Sequence, residues 1–121
     1  MSVGIIGCGL IAHSHAGSLR ELGVPVTALY DLDRAQAEAL AAVPGAAVAD
    51  GWEELLDRGD LAAVLVCTPP RAHREAAVGA LERGIPLYLE KPIARDLEEA
   101  RVIAEVAART GTTCEIGRAH V

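Results

Sequence analysis

The stretch VGIIGCGLIA, residues 3–12, decides the fold of this protein. It opens with a short apolar run rich in β-branched residues and stopped by Gly7, which predicts a buried strand rather than a helix. Beyond the glycines, apolar residues recur near helical spacing, at Leu10, Ala16, Leu19 and Leu22. The stretch therefore predicts a strand, a tight turn and a helix in direct succession.

The turn itself has the form G-x-G-x-x-A, which between a strand and a helix is typical of dinucleotide binding. Gly7 allows the tight turn, Gly9 lets a pyrophosphate approach the backbone, and Ala12 lets the helix pack on the strand. The free N–H groups and the positive helix end then face the pyrophosphate. We predict that the cofactor contacts the whole turn: Gly7, Cys8, Gly9, Leu10, Ile11 and Ala12. The alternative is that the glycines merely turn the chain.

An acidic residue, Asp31, closes the second predicted strand. A carboxylate there accepts hydrogen bonds from the adenosine ribose and repels a 2′-phosphate, so NAD is favoured over NADP. Arg34 follows closely and is predicted to contact the cofactor, either by meeting that phosphate or by stacking on adenine. The alternative for Asp31 is an acid at a loop or helix start.

Further strands and helices alternate along the rest of the chain. The predicted strands cover residues 3–6, 26–31, 47–49, 61–67, 86–90 and a segment from 112, and the predicted helices cover about 10–22, 33–42, 52–58, 71–83 and 96–109. Such alternation is typical of an α/β fold with a doubly wound parallel sheet, right-handed crossovers and helices on both faces. We expect one Rossmann domain over residues 1–114.

The composition excludes several classes of protein. The chain has 121 residues, of which 51% are hydrophobic and 2% aromatic, with a net charge of −6. Such a chain is neither disordered nor fibrous, and its acidic balance argues against a nucleic-acid partner. No basic leader or run of membrane-spanning length is evident, so no membrane partner is expected. An odd number of cysteines, three, favours reduced thiols and a cytoplasmic location.

Two later stretches complete a recognisable pattern. CTPPRAH, residues 67–73, follows the fourth strand, and LEKP, residues 89–92, follows the fifth. With GIIGCGLIAHSH at residues 4–15, these motifs make the chain, from Val3 to about Cys114, resemble the N-terminal domain of the Gfo/Idh/MocA family. The resemblance rests on four motifs: G-x-G-x-x-A, the acidic residue that closes the second strand, T-P-x-x-x-H and E-K-P.

The resemblance implies an NAD(P)-dependent oxidoreductase acting on a hydroxyl carbon of a sugar, cyclitol or related polyol. It implies that Lys91 is the active-site lysine, which would hold the hydroxyl oxygen while hydride moves to the nicotinamide. The alternative is a solvated surface charge. Pro92 either stops the strand or fixes the lysine backbone through a cis bond.

Four other residues of these motifs are predicted to contact the cofactor: Thr68, Pro69, His73 and Glu90. His73 matches the family histidine, with packing or capping on its helix as the alternative. Glu90 would point away from Lys91 and orient groups on the cofactor side rather than act as the base.

No metal site is expected. His13 and His15 lie two apart on one helix and cannot chelate an ion together, and His15 alone fits the family pattern. Cys8 and Cys67 have no partner that would activate a thiol, so we interpret them as small buried hydrophobes.

The resembled enzymes continue into a second α/β domain that supplies most substrate contacts and the oligomer interface. We therefore expect that the full-length form is a homo-oligomer, that the C-terminal substrate domain is absent here, and that these residues bind cofactor without turnover. The tail, residues 115–121, resembles translated adapter DNA, which predicts a non-native end; the alternative is a natural tail. Alternatives are a stand-alone NAD(H)-sensing module and a methyltransferase that binds S-adenosylmethionine; E-K-P argues against both.

Overall fold

The structure is a computed structural model that describes residues 2–42, 46–69, 72–91, 94 and 96–116. Its elements are β1 (Ser2–Ile6), α1 (Leu10–Glu21), β2 (Val26–Tyr30), α2 (Arg34–Ala41), β3 (Ala47–Val48), α3 (Trp52–Leu56), β4 (Leu61–Val66), α4 (His73–Glu82), β5 (Leu87–Leu89), α5 (Leu97–Thr110) and β6 (Cys114–Ile116). Several predicted features lie outside the described residues, namely Pro44, Gly45, Pro70, Arg71, Pro92 and residues 117–121.

The six strands form one parallel sheet in the order β3-β2-β1-β4-β5-β6. The chain runs outward in one direction from β1 and then in the other from β4, so the order reverses between these two central strands. With right-handed crossovers, the helices of the first half and those of the second half lie on opposite faces of the sheet. The predicted doubly wound α/β fold is confirmed.

Alternation along the strands divides the core into two layers. Ile5, Leu29 and Leu65 pack on the side of α1 and α2. Ile6 and Val66 point to the other side, where α3, α4 and α5 cover the sheet. Side chains of successive strand residues point to opposite faces, so a strand covered on both faces must be apolar throughout. This explains why β1 is buried over its whole length.

Helix and strand ends differ from the predictions by one or two residues. Asp33 is an N-cap rather than a helical residue, and Asp96 is the N-cap of α5, because their extended backbones let each carboxylate accept a bond from the amide two or three residues ahead. The predicted third helix ends at Leu56, before Arg58. Gly111 ends α5 with a φ of 69°, a left-handed conformation that glycine adopts readily.

The apolar residues of α1 are less deeply buried than their helical spacing predicted. Ala12 is its one fully buried residue, whereas Leu10 and Leu22 are 92% and 76% exposed. Both leucines lie at the ends of the helical segment, beyond the part that contacts the sheet. No helix in the described part of the chain is long and apolar enough to cross a membrane.

Candidate functional site

The predicted site residues lie along one edge of the sheet, at the carboxyl ends of four neighbouring strands. Ile6 of β1 is in register with Tyr30 of β2 and Val66 of β4, and Val66 is in register with Leu89 of β5. The residues that follow these strand ends therefore share one level: Gly7, Asp31, Cys67 and Glu90. In an open α/β sheet this edge, where the strand order reverses, holds the ligand crevice.

Gly7 occupies a position that accepts no side chain. Its φ is +94°, and a Cβ there would lie 2.7 Å from the backbone of both Cys67 and Thr68. Its amide donates to the Tyr30 carbonyl oxygen at 2.7 Å. The turn therefore packs between the end of β2 and the residues that follow β4, and the residues after Gly7 lie at the crevice.

The amino end of α1 is open toward that crevice. Gly9 is its N-cap and supplies no side-chain bond, and the first turn contains no acidic residue. Among the described residues, a Cβ at Gly9 would meet only the Gln36 side-chain oxygen, at 3.8 Å. Leu10 and Ile11 are exposed, while the fully buried Ala12 packs this end of the helix onto the sheet. The first amides of the helix are therefore available to an anion.

Asp31 lies beside the glycine turn. Its Oδ2 accepts a bond from the Cys8 amide and its Oδ1 one from the Asp33 amide, both at 2.7 Å. The half-buried carboxylate is thereby held at the end of β2, next to the amides of the turn. Each oxygen keeps a second lone-pair position for a further donor.

Arg34 is exposed and lies in a surface ion-pair network at the start of α2. Its Nη1 is 2.6 Å from Asp50 Oδ1 and its Nε is 3.4 Å from Glu38 Oε2. The hydrogen bond from Asp50 raises the pKa of the guanidinium above its usual value. Such exposed pairs are weak, so the side chain can exchange carboxylate partners for a ligand.

The segment after β4 is held by a buried histidine. His73 is fully buried, and its Nε2 hydrogen-bonds the Thr68 carbonyl oxygen; because that oxygen accepts, Nε2 carries the proton. This contact supports the packing alternative. The Thr68 hydroxyl is buried and has no hydrogen-bond partner among the described residues, and Pro69 is exposed. His73 therefore holds the backbone of the segment that follows β4.

The end of β5 carries Glu90 and Lys91 of the E-K-P motif. Glu90 donates its amide to the Val66 carbonyl oxygen at 2.9 Å, and its Oε2 lies 3.0 Å from Nε2 of His15 on α1. The next residue, Lys91, is exposed. Sequence reasoning gave Glu90 an orienting role but did not pair it with His15. The sequence signal for His15 was its fit to the family pattern, shortly after the glycine motif.

The thiols and the other histidine do not form a reactive centre. Burial, with a contribution from Asp31, raises the pKa of Cys8 to about 12. Burial and Glu90 raise the pKa of Cys67 to about 12 as well, so both stay protonated at neutral pH. The predicted burial holds for Cys8, whereas Cys67 is only partly buried, and His13 is exposed. Within the described ranges, no three side chains of the ligating types converge on a metal position.

Comparisons with known proteins agree with this geometry. Residues 1–118 match the Gfo/Idh/MocA family, described as an oxidoreductase family with an NAD-binding Rossmann fold. The chain is 36% identical to an inositol 2-dehydrogenase of Arthrobacter sp. strain FB24, over 92% of this chain and 34% of that protein. It is 31% identical to the glucose-6-phosphate 3-dehydrogenase of Bacillus subtilis, over 95% of this chain and 33% of that protein.

A solved structure shows the same architecture. The crystal structure of a putative myo-inositol dehydrogenase from Sinorhizobium meliloti 1021 superposes with a TM-score of 0.91 at 28% identity, covering 97% of this chain and 36% of that one. This chain therefore spans about a third of the length of the relatives it matches. The match over residues 1–118, together with the glycine turn and the strand order, shows that the chain belongs to the Gfo/Idh/MocA oxidoreductase family.

Proposed function

We propose that this chain binds NAD in the crevice between β1 and β4 and serves as the cofactor-binding part of a dehydrogenase. The observation that carries the proposal is the glycine turn: Gly7 packs against the residues that follow β4, and none of the described side chains caps the amino end of α1. A backbone surface with free amides at a helix start fits a pyrophosphate. The Thr68 hydroxyl, which is buried and has no hydrogen-bond partner in the described part of the chain, adds a polar group on the β4 side.

The cofactor's orientation follows from the order of the strands. With the pyrophosphate at α1, Asp31 after β2 would receive the adenosine ribose. The nicotinamide half would then extend toward the ends of β4 and β5, where Thr68, Glu90 and Lys91 lie. We further propose NAD rather than NADP, because the Asp31 carboxylate would repel a 2′-phosphate.

The substrate class proposed is a sugar, cyclitol or related polyol, oxidised at a hydroxyl carbon. The relatives named inositol 2-dehydrogenase and glucose-6-phosphate 3-dehydrogenase support this class. When bound, the nicotinamide supplies hydride transfer. Lys91 would donate a hydrogen bond to the substrate oxygen and take part in moving its proton. We propose that residues 1–121 alone bind the cofactor without turnover. A cofactor-binding domain by itself forms one side of the crevice, so it neither excludes water nor orients a polyol.

Titration by calorimetry tests the cofactor proposal. We expect NAD to bind more tightly than NADP, and S-adenosylmethionine not to bind. Asp31→Ala should weaken the affinity for NAD about ten- to a hundredfold, the loss expected when hydrogen bonds to a charged group are removed. Asp57→Ala removes an exposed carboxylate that is paired with Arg83 away from the crevice, and should leave the affinity unchanged. Failure of the wild-type chain to bind any nicotinamide nucleotide would refute the proposal.

Lys91 is the chain's single lysine, which allows its position in the site to be tested chemically. We expect NAD at ten times its dissociation constant to slow acetylation of Lys91 about tenfold, because the bound nucleotide covers the side chain. The α-amino group is the internal control, since Ser2 opens β1 at the opposite edge of the sheet. Mass spectrometry of both amines measures the rates. Equal acetylation of Lys91 with and without NAD would place it outside the site.

A further inference from the structure

A charged hydrogen bond crosses the nicotinamide side of the crevice. His15 lies on α1, the helix whose amino end forms the turn, and Glu90 follows β5, two strands away from β1. Their side chains meet at 3.0 Å and are 25% and 16% exposed. A carboxylate only accepts, so His15 Nε2 is the donor. The bond joins the phosphate-binding helix directly to the segment that carries Lys91.

Other contacts hold both partners in place. The His15 ring stacks edge-on against Tyr88, with ring centroids 5.3 Å apart and planes at 69°. The Glu90 backbone is hydrogen-bonded to Val66 of the neighbouring strand. The pair is therefore a fixed feature of the crevice wall, because each member is positioned by a second contact.

The Glu90 carboxylate acts on its surroundings as a negative charge. Burial is the largest cause of the raised pKa of Tyr88, and the charge of Glu90 is the second. The same two causes, in the same order, raise the pKa of Cys67. The titratable groups described around it are thus His15, Tyr88 and Cys67, with exposed Lys91 adjacent in the chain. With His15 neutral, Lys91 is the one cation among these described groups, and it is exposed to solvent, which screens its charge.

From this arrangement we infer that Glu90, positioned by His15, makes the site prefer oxidised over reduced cofactor. This inference rests on the proposed NAD binding and on the nicotinamide half lying at β4 and β5. The oxidised ring carries a positive charge and the reduced ring carries none. A carboxylate held near the ring therefore attracts the oxidised form more strongly, while its effect on the rest of the molecule is the same for both.

The experiment compares three ligands, NAD⁺, NADH and ADP-ribose, at about pH 8, where histidine is ordinarily neutral. Glu90→Gln keeps the size and an acceptor oxygen but removes the charge. We expect the ratio of NAD⁺ to NADH affinity to fall about three- to tenfold, the range for a partly exposed charge. The affinity for ADP-ribose, which lacks the ring, should stay within about twofold.

Two substitutions of His15 test the positioning role separately. His15→Leu keeps the carboxylate but removes its donor, so the affinity ratio should fall as in Glu90→Gln. His15→Gln restores an N–H donor and should restore the ratio. Circular dichroism and thermal melting verify folding, and the His15 pair alone decides the outcome if Glu90→Gln does not fold.

Three results would overturn the inference. One is an unchanged ratio in Glu90→Gln with all three ligands still bound. Another is an equal loss of all three ligands, which would indicate a purely structural role. The third is a ratio in His15→Leu that matches the wild type. If wild-type protein binds neither NAD⁺ nor ADP-ribose, the proposed function itself fails, and that result is distinct from these three.

Discussion

Replacing Gly7 with alanine is expected to destabilise the fold and to abolish NAD binding. The φ of +94° alone costs a residue with a Cβ about 1–2 kcal/mol. The added carbon would also lie 2.7 Å from two backbone atoms, of Cys67 and Thr68, which are not free to move aside as a side-chain tip is. We expect the free energy of unfolding, measured by urea denaturation, to fall by more than about 3 kcal/mol.

Two other glycines are matched controls for this prediction. Gly23 shares the positive φ, at +74°, but no atom of the described residues lies within 4 Å of an added Cβ, so Gly23→Ala should cost only the backbone strain of about 1 kcal/mol. Gly9→Ala should leave stability nearly unchanged, because its nearest neighbour would be 3.8 Å away, yet weaken NAD by occupying the approach to the turn. A Gly7→Ala protein as stable as Gly23→Ala would contradict the contacts described at the turn.

Replacing Lys91 with methionine is expected to reduce turnover about 10²- to 10⁴-fold in a protein that joins this domain to a substrate domain of the family, the usual contribution of a positioned acid or base. Methionine keeps the unbranched apolar stem but has neither charge nor proton. Because Lys91 is exposed rather than packed in the core, folding should change little. Nicotinamide absorbance with polyol substrates measures the rate.

An arginine at the same position separates charge from proton transfer. Lys91→Arg keeps a positive hydrogen-bond donor but does not release its proton in the accessible pH range. If Lys91 moves a proton, Lys91→Arg should be nearly as slow as Lys91→Met; if it only stabilises negative charge, the arginine should restore much of the rate. Turnover equal to that of the parent protein in both variants would exclude Lys91 from the chemistry.

The amino-acid sequence was sufficient to predict the doubly wound sheet. The β-branched run before Gly7 and the alternation of apolar segments with helix formers are local signals, set by backbone sterics and by the burial of each strand on both faces. The N-cap position of Asp96 was likewise predictable, because capping involves the amide of Glu99 three residues away. Which of the predicted residues touch the cofactor stays a prediction.

Contacts between distant parts of the chain were decided only by the tertiary structure. His15 and Glu90 meet across 75 residues and the Cys8 amide reaches Asp31 across 23, so no local pattern encodes either pair. His73 had two equally plausible roles until burial and its bond to the Thr68 carbonyl supported packing. Residue type and spacing set the strands and the turn because those depend on neighbours in the chain; hydrogen-bond partners depend on strand order and register, which exist only once the sheet has formed.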